Sequence, residues 1–218
     1  MEPTICRTGA LPMLVWDLGD APRYVISSAP VGGGIGVRSA VVNAQVAPGY
    51  GRVDVDAHMV ELASDAGLAT ADLVGMLTAA DVTDVQRADD GGVTVWSTVG
   101  IAVPTWAAAP DGDRSPAPGS SAAVAGTINI VAEVPVRLSD AALVNAVATV
   151  TEAKAQALFE AGVAGTGTAT DAVCLVCPAD ERAHAPFGGP RSTWGARLAR
   201  AVHATVAAGI PRSIARYS

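Results

Sequence analysis

The chain has 218 residues and a formal net charge of −7; it is 50% hydrophobic, yet only 4% aromatic and 16% charged. Its length can bury roughly 70% of the unfolded surface without a disulfide or a metal, and so few aromatic residues mean a core built from Ala and Val. The acidic balance, with a pI near 4.8, excludes a protein that tracks nucleic-acid phosphates, and no apolar run reaches the 18 residues that a membrane span needs.

Three cysteines, Cys6, Cys174 and Cys177, are an odd and sparse set that suits a reducing compartment. The opening Met1-Glu2-Pro3-Thr4 lacks the basic and apolar regions of a secretory leader. A cytoplasmic protein is therefore expected. Its low charge leaves small apolar surface for a ligand or for a second copy in a homo-oligomer.

Short apolar runs come first, at Met13–Trp16, Tyr24–Ser27 and Ala40–Val46; each has strand length. A helix is predicted over Val55–Ala66, with Asp54 as N-cap. Leu73–Leu77 leads into Thr78-Ala79-Ala80-Asp81. Val82–Ala88, the turn Asp89-Asp90-Gly91-Gly92 and Val93–Ile101 spell a hairpin, because glycine supplies the positive φ that a tight turn requires. Residues 107–126 carry no periodicity and read as one long flexible loop, a lid or a disordered segment. A strand over Thr127–Val134 follows, then a helix from Ser139 to about Ala161, closed by Gly162. Ala172–Cys177 reads as a buried strand, and a last helix runs from about Ser192 to Ala208. Helices and strands do not alternate strictly, so the expected fold is α/β (α+β): a single domain over 1–218 with a mixed sheet and helices packed on it.

Two glycine loops, Gly32-Gly33-Gly34-Ile35-Gly36 and Gly165-Thr166-Gly167-Thr168-Ala169-Thr170-Asp171, match neither nucleotide-binding glycine pattern. Both could offer bare backbone N–H groups to an oxygen; a tight turn is the plainer reading of the first. Cys174 and Cys177 are three apart on a strand and so face opposite ways, which makes a zinc or redox pair a poor reading. The histidines His58, His184 and His203 nominate no catalytic arrangement. In the helix after Ser139, residues Asn145, Thr149, Glu152 and Gln156 form a polar stripe, while Lys154 projects into the apolar face of Leu143, Val147, Val150 and Leu158. Lys154 is the only lysine of the chain. It either snorkels to solvent or is a partly buried amine held to a carboxylate. After Glu181 come six arginines and no acid, a solvated tail or a face for an acidic partner.

Taken in order, six motifs identify more. These are Ser28-Ala29-Pro30, Asn43-Ala44-Gln45-Val46, Met76-Leu77-Thr78-Ala79-Ala80-Asp81-Val82, Gly126-Thr127-Ile128-Asn129-Ile130, Thr151-Glu152-Ala153-Lys154 and Thr166-Gly167-Thr168-Ala169-Thr170-Asp171. Together they resemble the adenosylcobinamide amidohydrolase family over about Tyr24 to Ala208. One departure falls at Gly188-Gly189-Pro190-Arg191-Ser192, where other members carry Gly-Gly-x-His.

The resemblance implies hydrolysis of the amide between aminopropanol and the corrin ring, with a corrinoid as substrate, no cofactor and no metal site. An unactivated amide needs an attacking oxygen, donors for the oxyanion and an acid for the leaving amine. The candidate catalytic residues are Glu152, Lys154, Thr168 and Asp171. Water activated by Glu152 or Asp171, with Glu152 preferred, is the first route; a hydroxyl of Ser28 or Thr168 with Lys154 as base is the second. Ser28, Gly33, Gly34, Asn43, Asp81, Trp106, Asn129 and Gly167 are the expected substrate contacts, with Trp96 and the 107–126 loop as further walls. A binding protein without turnover, or an amidohydrolase of complete cobamides, are the alternatives.

Overall fold

The strand segments do not alternate apolar with polar because most of them are covered on both faces. The computed structural model, which describes residues 1–7, 11–110, 126–180 and 184–217, shows why. Strands β1 (Thr4–Cys6), β2 (Met13–Asp17), β5 (Ala40–Gln45) and β6 (Leu73–Thr78) form one sheet in the order β1-β2-β5-β6. The second sheet runs β4-β3-β10-β9-β8-β7, from β3 (Arg23–Ser27), β4 (Gly34–Arg38), β7 (Gln86–Asp90), β8 (Val93–Val99), β9 (Ile128–Glu133) and β10 (Ala172–Pro178). The mixed α/β architecture is as expected, but the one sheet expected is two.

Period-2 geometry sorts the apolar residues into three layers. Leu14, Trp16, Val41, Val74 and Met76 of the first sheet meet Val25, Trp96, Val131, Cys174 and Val176 of the second. The neighbours Met13, Val15, Val42 and Ala44 turn outward onto Met59 and Ala63 of α1 (Val55–Asp65). Val95, Ile130, Val173 and Leu175 turn the other way, onto α2 (Asp140–Glu160) and α3 (Thr193–Tyr217). The order of layers is helix, sheet, sheet, helices. Cys174 and Cys177 lie in different layers, and burial pushes the Cys174 thiol up to about 12. Trp96, an expected cleft wall, is instead core: it is 2% exposed and meets Trp16 edge-on at 6.1 Å, joining the two sheets.

Two βαβ units set the ends of the sandwich. Parallel β5 and β6 are joined through α1, and parallel β9 and β10 through α2. Helix α2 begins and ends where its caps dictate: the Ser139 hydroxyl accepts from the Ala142 N–H at 3.1 Å. At its end Gly162 has φ +73°, and the Val163 and Gly162 N–H groups return to the carbonyls of Leu158 and Phe159, a Schellman closure. Asp54, the expected cap of α1, makes no side-chain cap bond, because Arg52 holds its carboxylate.

Three further elements differ from expectation. The hairpin strand starts at Gln86 rather than Val82, since Asp81 caps a 3₁₀ turn over Val82–Asp84; the turn itself is the two-residue Gly91-Gly92, with φ +54° and +94°. Strands β1 and β4 carry no apolar run that announces them. Helix α3 passes Ala208 and continues through Pro211 to Tyr217. Proline removes a helical bond, but burial of Ile210 and Ser213 holds the extra turns, with Ser213 Oγ accepting from the Ile101 N–H at 2.7 Å. The arginines of α3 are not a free face: Arg200 binds Asp90, Arg212 binds Asp84 and Arg216 binds Asp81. The middle of the expected loop, 111–125, and Arg182 lie outside the described residues. No helix among the described residues is long and apolar enough to cross a membrane.

Candidate active site

At one end of the sandwich the first parallel pair finishes and the second begins, leaving a cleft of about 400 Å³. Its walls come from the loop after β5 (Val46, Tyr50, Arg52), Val55 at the start of α1, the end of β6 (Leu77, Thr78) with Ala79 after it, Ser28 and Pro30 after β3, Thr127 before β9, and Ala169–Ala172 entering β10. Most of these side chains are small or apolar; the polar groups are few and convergent, as small-molecule sites require.

The polar centre is the Asp171 carboxylate. Oδ1 accepts from the Ile128 N–H at 2.9 Å and from the Thr168 hydroxyl at 2.5 Å; Oδ2 accepts from the Thr168 N–H at 3.1 Å and from the Lys154 ammonium. Four donors therefore meet one carboxylate. Side chains of Lys154 and Asp171 are only 10% and 11% exposed, so the charges are compensated by each other rather than by water. The lone lysine is the buried amine held to a carboxylate, not the snorkelling one. Gly167 is required by this packing, since a Cβ there would lie 2.5 Å from Lys154 Nζ and nearer still to Asp171 Oδ2. The loop is pinned by a bridge between Thr105 and Gly167 and by a bond of 2.6 Å between the Thr127 and Thr170 hydroxyls.

Lys154, Thr168, Asp171 and Gly167 are thus one cluster, and Asp171 shares the cleft with Ser28, whose Oγ accepts from the Val173 N–H at 3.0 Å. Trp106 is 52% exposed, one residue from the Thr105–Gly167 bridge. Glu152 is not brought in: two residues along a helix is about 200° of turn, and it stands exposed while Lys154 is buried. The polar stripe containing it divides in the same way, for Thr149 is buried and donates to the Gly188 carbonyl at 2.9 Å. Asp81 is turned away to cap Thr83 and pair with Arg216. Gly33 lies in the β3–β4 turn and Gly34 opens β4 opposite Ser27, where Arg38 donates to the carbonyls of Gly32 and Gly33. Asn43 and Asn129 are buried between the sheets, Asn129 Nδ2 donating to Asn43 Oδ1 at 2.8 Å and to the Leu77 carbonyl at 3.0 Å.

The opposite wall holds residues that no sequence motif singles out. Tyr50 Oη and His58 Nδ1 are hydrogen-bonded at 2.8 Å, their rings stacked with centroids 5.3 Å apart. Beside them Arg52 donates to both Asp54 and Glu61; that guanidinium holds the Asp54 carboxyl down at about 2 and lowers Glu61 as well. Burial raises the Tyr50 phenol above its ordinary value. The only hint in the sequence is an aromatic residue and a histidine eight apart, across a loop. Among the described residues no group of three or more His, Cys, Asp or Glu side chains is placed to hold a metal ion.

A model of the adenosylcobinamide amidohydrolase family matches residues 2–218. The chain belongs to that family. It is 30% identical over 178 residues to a protein named adenosylcobinamide amidohydrolase from Methanosarcina mazei, covering 78% of this chain and 82% of that one. A protein of the same name from Halobacterium salinarum is 39% identical over 122 residues, 55% of this chain and 51% of the relative. Membership makes the chain an amidohydrolase.

Proposed function

We propose that the chain hydrolyses the amide joining aminopropanol to the corrin ring of adenosylcobinamide, releasing adenosylcobyric acid and 1-aminopropan-2-ol. This returns a scavenged corrinoid to coenzyme B12 synthesis, in the cytoplasm and with no cofactor. The observation that carries the reading is the Asp171 carboxylate, which lines a largely apolar cleft and holds Lys154 and Thr168, in a chain of this family. The cleft takes the amide arm and the edge of the macrocycle. Val53, 93% exposed on the loop that forms one wall, and Trp106 on the other side offer apolar surface to the rest of the ring.

The geometry favours a hydroxyl route with Asp171, rather than the expected Lys154, as base. As Thr168 Oγ1 attacks the amide carbon, its proton passes along the existing bond to Asp171 Oδ1; once the C–N bond has broken, water opens the Thr168 ester and the proton on Asp171 returns to Thr168 Oγ1. Lys154 keeps two N–H donors beyond the one spent on Asp171, and these suit the oxyanion that develops. Asp171 is positioned by backbone N–H groups, so no reorganisation precedes attack.

Metal-stripped protein incubated with adenosylcobinamide is expected to give both products by mass spectrometry. Absence of cobyric acid, with binding shown by calorimetry and divalent metals restored, overturns the reading. Thr168→Ala is expected to abolish turnover, with Thr168→Ser retaining a measurable part; Glu152→Gln losing more than Thr168→Ala reverses the order of the two routes.

A further inference from the structure

The proposed reaction leaves one requirement unassigned. When the tetrahedral intermediate collapses, the nitrogen of the leaving aminopropanol must receive a proton. Asp171 holds the proton it took from Thr168 against that same hydroxyl oxygen, for return when the ester opens, and Lys154 is spent on Asp171 and the oxyanion. Neither is then free to serve as this donor.

The geometry points to Tyr50, backed by His58, as the acid that protonates the leaving amine across the cleft from Asp171. This rests on the amidohydrolase reading above. Tyr50 lines the cleft, and its hydroxyl is bonded to His58 Nδ1 at 2.8 Å. That single bond can run either way. With a neutral imidazole bare at Nδ1, the phenol proton points at His58 and only lone pairs face the cleft. With imidazolium, Nδ1–H donates to Tyr50 Oη and the phenol proton is free to point at the substrate. Around the pair stand Arg52 and Asp54 on the loop and Glu61 on α1, each within electrostatic reach of Tyr50 or His58.

The step balances. The C–N bond breaks and its electron pair stays on nitrogen, which takes the Tyr50 proton. The phenolate takes the Nδ1 proton of His58, and His58 recovers a proton from solvent. Tyr50 is the catalytic residue in this scheme and His58 a positioning residue that sets the direction of its proton.

The test is kcat and KM for adenosylcobinamide hydrolysis by the full chain. Tyr50→Phe keeps the stacked ring and is expected to lower kcat about 100-fold or more with KM within about twofold. His58→Gln keeps a donor toward Oη and is expected to hold kcat within about tenfold of wild type, whereas His58→Ala falls nearly as far as Tyr50→Phe. Tyr50→Phe within about twofold of wild-type kcat, or His58→Gln and His58→Ala with equal kcat, overturns the proposal. A second arm needs no turnover: ¹⁵N resonances of the His58 ring are followed while 1-aminopropan-2-ol is added. They should move in the wild type and not in Tyr50→Phe. Resonances that stay still in the wild type also overturn it, whereas a wild type that shows the shift but no hydrolysis condemns only the assigned substrate.

Discussion

The two glycine loops put the missing Cβ to opposite uses. At Gly32, φ is +63° and a missing Cβ lets the turn lie against the Leu73 carbonyl of the other sheet. The space left by the glycine is filled with backbone, and Arg38 ties down the carbonyls. At Gly167 the space is filled instead by the charged ends of Lys154 and Asp171, and the loop's N–H and hydroxyl groups converge on a carboxylate. Glycine marks a close approach in both places; only the identity of the approaching group separates scaffold from chemistry.

That contrast can be broken by substitution. The largest effect is expected from Lys154→Met. Removing one partner of so enclosed a pair leaves the Asp171 charge uncompensated, at a cost of about 3–5 kcal/mol of stability, and turnover should fall by about 100-fold or more; chemical denaturation and steady-state kinetics read the two losses. Gly32→Ala and Gly167→Ala then separate the loops. The first is expected to lose about 2 kcal/mol or more through strain at positive φ and collision with backbone, with kcat of the surviving fraction near wild type. The second is expected to lose turnover by about 10-fold or more with a smaller drop in Tm, because side-chain ends can shift where a carbonyl cannot. Equal losses of Tm in the two variants would erase the distinction.

Smaller effects belong to the surface. Arg216→Ala removes an exposed partner of Asp81 and should lower Tm by about 3 °C or less. Asp81 is held below its ordinary value by Thr83 and then Arg216, and Asp90 by Arg200. Such depressed carboxyls stabilise the folded state fully above about pH 3.9 and lose that contribution as pH falls through their lowered values. Acid titration followed by circular dichroism should therefore show the docking of α3 weakening below that pH, less steeply in Arg216→Ala. Alkylation at pH 8 should modify Cys6, which is half-buried, before the fully buried Cys174 and Cys177.

Much of this was legible in the chain itself, and the reasons are local. Met13–Trp16, Ala40–Val46 and Ala172–Cys177 are strand-length runs, and the Gly91-Gly92 turn and the caps of α2 are written in adjacent residues. Lys154, Thr168 and Asp171 stand out in the sequence through the Thr166–Asp171 motif and the lone lysine, and the fold brings these three together. What was not legible depends on partners far along the chain. Strand β4, Gly34–Arg38, exists because β3 offers it an edge. Helix α3 outlasts Pro211 because Ile101, Asp84 and Asp81 receive it. Glu152 shares a motif with Lys154 but not a direction, and Tyr50 meets His58 only once the loop before α1 has folded back.

The pairing of β3 with β10 has a consequence for synthesis. Ser27 Oγ donates to the Val173 carbonyl, 146 residues later. A ribosome emitting the chain therefore releases the β3–β4 hairpin long before its neighbour in the sheet exists, and that edge waits with its N–H and C=O groups open. Ser28, Tyr50 and Thr78 are all made early, yet the cleft they wall has no floor until Asp171 emerges. Long-range closure of this kind is slow, and the nascent intermediate is the form in which the protein is most exposed to aggregation.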